Sequence, residues 1–527
     1  MNPEPARTQL LSIIAHARAG ALDHAWAMYG ALAPGLEADP AALAVKGRLL
    51  KDLALRASGA ERQRLYCDAA DAYLAAAEAG GATYPLINAA TLSLLCGEHA
   101  QSQKRARDTL ERIERNPDEP ETPYYRAATR AEALLLLDRE ADAQNTLAEA
   151  IALAPRAWED HASTLRQFAI ILAAQGRNAA WLDAHRPPRS LHFGGHMAFR
   201  GAPGPTALAR KIAAVLEAER IGFGYGALAA GADIIVAEAL LKRGAALHVI
   251  LPGGVQGFAA VSVDPHGAEW RRRFDAALAR AETVRAVEPE ALPDETMIAL
   301  ADEIAMGSAL INARLLASDG VQLLVLPEPD EGNEEGASAR SRDAWSRLGR
   351  RQHVLPAPRE PVDSPSDTLI AAARRRIAAL SVRTAFAGEE EKAWLSLAKA
   401  ALARCPPPDV PPAFTGREVE LGYDDIERAA KAAVILAGEA LRVGGHYGIA
   451  DQVEDPFAET PRLVGRAIGL AGGAAASAPG GTVCITEDFA AALAAAAPDS
   501  FRAEFVGELG AAGSETPIGL FALKPLS

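Results

Sequence analysis

Two glycine turns carry the residues best suited to gripping an anion. The stretch "FGGHMAFR" supplies Gly194, Gly195, His196 and Arg200, and "GYGALAAGAD" supplies Gly224, Gly226, Gly231 and Asp233. Each turn follows an apolar run. Glycine lets backbone N–H groups approach a phosphate closely. A helix opening near Gly231 adds the positive end of its dipole. A guanidinium such as that of Arg200 grips a phosphate in two places, and His196 can donate to one or merely cap the turn. Neither turn matches GxGxxG, and each taken singly also reads as a plain tight turn. Glu238, one turn into the helix, is placed to accept from a ribose or to face solvent. Trp270 and Phe274 lie four apart on a helix and read as core, with Arg271, Arg272 and Arg273 as a solvated face.

Such turns need a sheet to hold them. From 186 to 328 strands and helices alternate: "RSLHFGGHMA" as a strand, "TALARKIAAVLEAERI" as a helix, then turn, helix and strand in "IGFGYGALAAGADIIVAEALLKRGAALHVILP". This alternation predicts an α/β Rossmann-like parallel sheet with helices on both faces. Both glycine turns then fall at carboxyl ends of strands, where open α/β sheets bind ligands. Residues 1–185 are helical throughout. Asp39 caps a helix with Pro40 at its first position. "ETPYYRAATRAEALLLLDREADAQNTLAEAIALAP" reads as two helices broken at Asp138–Glu140 and closed by Pro155. Hairpins of about 34 residues predict an all-α tetratricopeptide-like solenoid. Residues 329–370 are rich in Pro, Ser, Gly and charge and read as a linker. Residues 371–527 read as α+β, an antiparallel sheet with helices on one face.

Three resemblances sharpen this outline. "YPLINAATLSLLCG" is similar to a segment of the TRAF-binding helical domain, which implies partner binding. "GALAAGADIIVAEALLKRGAALHVILP" resembles the SLOG superfamily, which includes the DprA and LOG proteins. That likeness implies recognition of a nucleotide or nucleotide-derived messenger by Gly194, Gly195, His196, Arg200, Gly224, Gly226, Gly231 and Asp233. The PGGxGTxxE motif of LOG enzymes is absent: "LPGGVQGF" stops short of it and follows the wrong strand.

"LRVGGHYGIA" with "TPRLVGRAIGLAGGAAASAPGGTVCITEDFAAAL" resembles the second half of a class III nucleotide cyclase, a ferredoxin-like fold. That chemistry needs two metal-holding Asp residues and an Asn and an Arg that orient the ribose and stabilise the transition state. Here Arg383 stands near the first Asp position and Gly416–Arg417 near the second. Gly465 replaces the Asn and Gly469 the Arg, with Arg466 on another helix face. Asp424 and Asp425 read as the start of the next helix. The resemblance therefore implies a pseudo-cyclase with no catalytic residues.

Composition narrows the classes. The 527 residues carry a net charge of -14, with 49% hydrophobic and 23% charged residues. This suits soluble globular domains and argues against a nucleic-acid binder. No apolar run reaches about 18 residues, so no membrane span is expected. The N-terminus lacks a secretory pattern, so a cytoplasmic protein is expected. Cys67, Cys96, Cys405 and Cys484 are far apart in sequence and show neither metal nor disulfide spacing, so no metal site is expected. The combined expectation is a non-catalytic signalling scaffold. It would sense a nucleotide-type ligand, bind an unknown protein through its repeats and form a homodimer through its last region. An active cyclase and a nucleotide-processing SLOG enzyme are the rivals.

Overall fold

The computed structural model describes residues 3–116, 121–197, 206–327, 337–357, 374–384, 391–415, 418–438, 441–455, 459–510 and 517–526. The chain divides into two compact units, Met1–Pro187 with Leu315–Ala317, and Pro188–Arg314 with Ser318–Ser527.

The first unit holds helices α1 (Pro3–Arg18), α2 (Leu22–Leu32), α3 (Pro40–Arg56), α4 (Gly59–Gly80), α5 (Thr83–Leu95), α6 (His99–Arg115), α7 (Pro123–Leu136), α8 (Glu140–Leu153) and α9 (Trp158–Ala174). Successive helices pack in pairs, α3 on α4, α5 on α6 and α7 on α8. Asp39 caps α3, accepting from the Ala42 amide at 2.8 Å with Pro40 at the first turn. The break at Asp138 is a left-handed residue with φ 61°. A polar bridge joins α5, α7 and α9: Thr91 donates to Glu132 at 2.6 Å and Gln167 donates to it at 3.1 Å. Burial pushes the Glu132 carboxyl up, and these donors oppose the shift.

The second unit opens with six parallel strands, β1 (Arg189–Gly195), β2 (Ile221–Gly226), β3 (Ala246–Gly253), β4 (Thr283–Glu288), β5 (Gly320–Leu326) and β6 (Arg351–Pro356). Their order is β4-β3-β2-β1-β5-β6. On one face Leu191 and Phe193 pack with α10 (Thr206–Ala218), α11 (Ala232–Lys242), α12 (Val255–Ser262) and α13 (Ala268–Leu278). The other face carries α14 (Glu295–Leu315) and α15 (Ala337–Arg347). The region read as a linker over 329–370 needs correction: it contains α15 and β6. Buried Trp345 anchors α15, donating to the Arg351 carbonyl at 3.0 Å. One apolar anchor outweighs polar composition there.

A second sheet follows, built from β7 (Arg374–Arg383), β8 (Val410–Phe414), β9 (Val419–Tyr423), β10 (Arg442–Asp455), β11 (Thr460–Val464), β12 (Val483–Thr486), β13 (Phe501–Leu509) and β14 (Ile518–Pro525). Its order is β13-β14-β12-β10-β7-β9-β8, with β11 paired to β10. The expected antiparallel sheet is corrected to a mixed one, because β10 and β12 run parallel. The helix α18 (Arg466–Ser477) makes the crossover that parallel strands require. Helices also cover both faces rather than one. Ala378, Leu380 and Val382 share a cluster with α16 (Glu391–Leu402), α17 (Ile426–Ala437) and α19 (Glu487–Ala496), whereas Ile377 and Ala379 face α18. A run such as "IAALSV" buried on both sides gives no alternation to read.

The two sheets share one core. Met297, Leu300 and Ile304 of α14 pack with Leu380, Val443 and Phe489. Gly307 lies so close to α19 that a Cβ there would sit 1.8 Å from the Ala491 carbonyl oxygen. Polar ties reinforce the contact. Tyr447 donates to Glu303 at 2.9 Å, Arg376 pairs with the same carboxylate, and Arg285 of β4 pairs with Glu487 at 3.0 Å and Asp488 at 2.6 Å.

Candidate functional site: a pocket at the reversal of the parallel sheet

The chain adds β2, β3 and β4 on one side of β1, then crosses to place β5 on the other. At such a reversal the flanking loops diverge and leave a crevice beyond the strand ends. A cavity of about 610 Å³ lies there, lined by Gly194, Gly195, His196, Gly226, Asp233, Asp302 and Arg342 among mostly apolar neighbours. This volume is in the range of small-molecule sites, roughly 300–1,000 Å³.

The glycines have different jobs. A Cβ on Gly194 would meet only Leu324, at 3.6 Å, so this position is open. A Cβ on Gly195 would press Ala232 and the Val325 carbonyl at 2.5 Å, and one on Gly226 the Phe193 carbonyl at 2.5 Å. Those two let elements meet closely while bordering the cavity. Gly224 does not line it. A Cβ there would strike Leu240 at 2.2 Å, so its lack of a side chain serves the packing of β2 on α11. Gly231, at φ 124°, begins α11 and bridges to Met197, and it is also absent from the lining. Three of the amides around it are occupied. Ala229 donates to Asp233 at 3.1 Å, Ala230 to the Ser262 carbonyl at 2.9 Å and Ala232 to the His196 carbonyl at 3.4 Å. His196 sets its Nε2 against the Ala357 carbonyl at 3.0 Å and its Nδ1 against that of Met197 at 3.2 Å, so it braces the turn. Arg200 lies outside the described residues.

Two carboxylates border the cavity instead. Asp233 sits in the first turn of α11, is buried, and its Oδ1 has no hydrogen-bond partner among the described residues. Burial, with the charge of Asp302 added, pushes its pKa up to about 7, against the pull of the Ala229 and Gly195 amides. A neutral buried acid can donate as well as accept. Asp302, on α14, is held by a chain no local motif announces. Gln352 Nε2 donates to the Gln322 side-chain oxygen Oε1 at 2.7 Å, which turns Gln322 Nε2 toward His192 Nδ1 at 3.0 Å. His192 Nε2 is then free to donate to Asp302 at 3.1 Å. Strands β6, β5 and β1 thus aim one pocket carboxylate from behind. The only sequence hint is a polar residue in each of three strands. Arg342 supplies a partly exposed cation, 2.9 Å from Asp343.

Trp270 and Phe274 are buried core. Arg273 is not part of a solvated face: it pairs with Glu238 at 2.7 Å and lies 4.2 Å over the Trp270 ring, pinning α13 to α11. That contact also removes Glu238 as a free ribose acceptor. In the second sheet Arg383 ends β7 and donates to Glu418 at 3.0 and 3.1 Å. Gly465 precedes α18 and Gly469 lies within it. Asp425 caps α17 through the Arg428 amide at 2.8 Å, and Asp424 pairs with Arg375. Gly416–Arg417 lie outside the described residues.

Comparison with known proteins adds the following. The family described as Tetratricopeptide Repeats-Sensor matches residues 1–93. No curated protein matches the chain. Among solved structures, the adenylyl cyclase CyaB from P. aeruginosa aligns at 13% identity, over 29% of this chain and 94% of that one, with TM-score 0.22. An adenylate/guanylate cyclase/hydrolase from Silicibacter pomeroyi aligns at 18% identity, over 30% and 100%, with TM-score 0.24. Adenylate cyclases from Trypanosoma brucei align at 15% identity, over 29% and 88%, with TM-score 0.24. No helix among the described residues is long and apolar enough to cross a membrane.

Proposed function

We propose that the chain is a non-catalytic signalling protein whose second unit senses a nucleotide or nucleotide-derived ligand, and whose helical repeats bind a protein partner. The observation that carries the sensing reading is the cavity at the β1–β5 reversal, with the buried, unpartnered Asp233 Oδ1 on its wall. Apolar walls suit a base. Asp233 and Asp302 suit the hydroxyl and amino donors of a nucleoside, and Arg342 suits a phosphate. The occupied amides around Gly231 move the phosphate away from α11. Helix α14 supports a route for the signal: Asp302 and Ala305 face the cavity while Glu303, Ile304 and Gly307 face the second sheet. A ligand that moves α14 is then felt by the cyclase-like region. Pseudo-enzyme status is supported by Arg383, already spent on Glu418, and by glycine at 465 and 469. A metal cation beside that guanidinium would be repelled. The repeats and the cyclase-like region fit scaffolding, with association of two copies through the latter.

Mass spectrometry of small molecules released from purified full-length protein tests this reading, followed by calorimetry with the molecule found. Asp233→Asn and Asp302→Asn should each cost roughly 1.5–3 kcal/mol, about 10- to 100-fold in affinity. Unchanged affinity in both variants, with intact melting curves, would place the ligand elsewhere.

A further inference from the structure

Two cysteines separated by 29 positions of sequence meet in the first unit. Cys67 lies in α4 and Cys96 just after α5, and their sulfurs and a Glu98 carboxylate oxygen all lie within 4.8 Å of one another. The turn that presents two of these groups is tightly defined. Gly97 takes φ 92°, the Glu98 amide donates to the Ser93 carbonyl at 2.8 Å and the Gly97 amide to that of Leu94 at 3.0 Å. This is the double-bonded helix end that a left-handed glycine permits. Gln63, one turn before Cys67 on α4, clamps the same turn by donating to the Cys96 carbonyl at 2.8 Å. Glu98 sits at the N-cap of α6, yet its side chain caps nothing. Its carboxylate lies instead with the two thiols. Cys96 is buried, Cys67 half-buried and Glu98 exposed, so the cluster has a closed back and an open front.

We propose that Cys67, Cys96 and Glu98 form a site for a borderline-soft divalent metal ion of the zinc class. Two sulfurs and one carboxylate oxygen match the donors such ions take, at about 2.3 Å from sulfur and about 2.0–2.2 Å from oxygen. Ligands at those lengths lie within about 4 Å of one another around a tetrahedral centre, so small side-chain rotations close the site. The exposed front leaves the fourth position to water or to a donor from a partner. Burial, and then the neighbouring Cys67, push the Cys96 thiol up to about 12. Entry of the ion therefore forms two metal–sulfur bonds and releases two thiol protons to solvent. The Glu98 carboxylate at the exposed front draws the cation in.

The test uses full-length reduced protein titrated with Co²⁺ alone and then with Zn²⁺, followed by absorption. One equivalent of Co²⁺ should raise a thiolate-to-cobalt charge-transfer band, and Zn²⁺ should abolish it. Cys67→Ser and Cys96→Ser should each remove the band. Glu98→Gln, a change on the surface that leaves folding intact, should keep the band but weaken binding by about tenfold. A Cys405→Ser/Cys484→Ser variant should bind as the parent does. Absence of the band in protein with intact thiols overturns the proposal, as does its survival in Cys67→Ser or its loss in the Cys405/Cys484 variant. A Cys67–Cys96 disulfide found in protein purified without reductant also overturns it, assigning the pair to redox chemistry.

Discussion

The tripeptide Gly-Gly-His occurs twice in the second unit, at 194–196 and at 444–446, each time at an apolar strand. The first copy ends β1, where the chain leaves the sheet; the second lies inside β10, which runs on to Asp455. At the first, Gly194 faces a cavity and His196 holds backbone carbonyls. At the second, the space is filled. A Cβ on Gly444 would sit 2.0 Å from the Ala475 amide of α18, and His446 is buried against Thr486 at 2.8 Å. The same residues open a site where a strand stops and seat a helix where it continues. Glycine admits a close neighbour, and position in the sheet decides whether the space beside it is left as a cavity or filled by a helix.

The comparison is sharpest in stability. Gly444→Val should drive a branched side chain into the α18 backbone and cost about 3 kcal/mol or more, since backbone cannot step aside. Urea denaturation checks this, and a loss below about 1 kcal/mol would mean that α18 is not seated there. The pH dependence should separate the two copies next. Folding raises Asp233 from 3.8 to about 7, so its protonated form favours the native state. Its contribution is whole below about pH 4 and is lost as pH rises through 7. His446 is lowered from 6.5 to about 3, chiefly by burial, then by Arg466 and Arg285. Its contribution is whole above about pH 6.5 and fades as pH falls. Asp233→Asn should therefore gain on the parent as pH rises from 5 toward 8, and His446→Gln should gain as it falls from 7 toward 5. Parallel pH–stability curves for parent and both variants would remove this distinction.

Smaller effects follow. Asp425→Ala should cost about 1 kcal/mol through loss of the α17 cap. Gly194→Ala should stay within about 0.5 kcal/mol of the parent, because its new methyl meets only Leu324. The smallest expected signal is turnover. Full-length protein with Mg²⁺ or Mn²⁺ should make no cyclic AMP or cyclic GMP from ATP or GTP, and product formation that Asp424→Ala or Asp425→Ala abolishes would reverse the pseudo-enzyme reading.

Legibility followed the range of the interactions. The caps at Asp39 and Asp425, the break at Asp138 and the strand–helix alternation from Arg189 onward depend on residues within one or two turns of each other, and each stands where its local pattern places it. The parallel pairing of β10 with β12, the sixth strand within a polar stretch and the roles of Gly224 and Arg273 all depend on distant partners. In the pocket, Asp233 lay in a motif, whereas Asp302 lay on an unmarked helix.

By itself, then, the sequence determined most of the helices and strands outside the polar stretch that holds α15 and β6, because backbone geometry, capping and apolar spacing act over a few residues. It also determined that Arg383, Gly465 and Gly469 stand where the cyclase resemblance implies a carboxylate, an amide and a guanidinium, because a side chain that is not encoded cannot be supplied by folding. Only the tertiary structure decided that β5 crosses to the far side of β1 and leaves a cavity, that His192 and Gln322 aim Asp302 at it, and that Cys67 meets Cys96 and Glu98. Those facts arise from contacts between residues tens to more than a hundred positions apart, and packing of whole elements, not local preference, selects them.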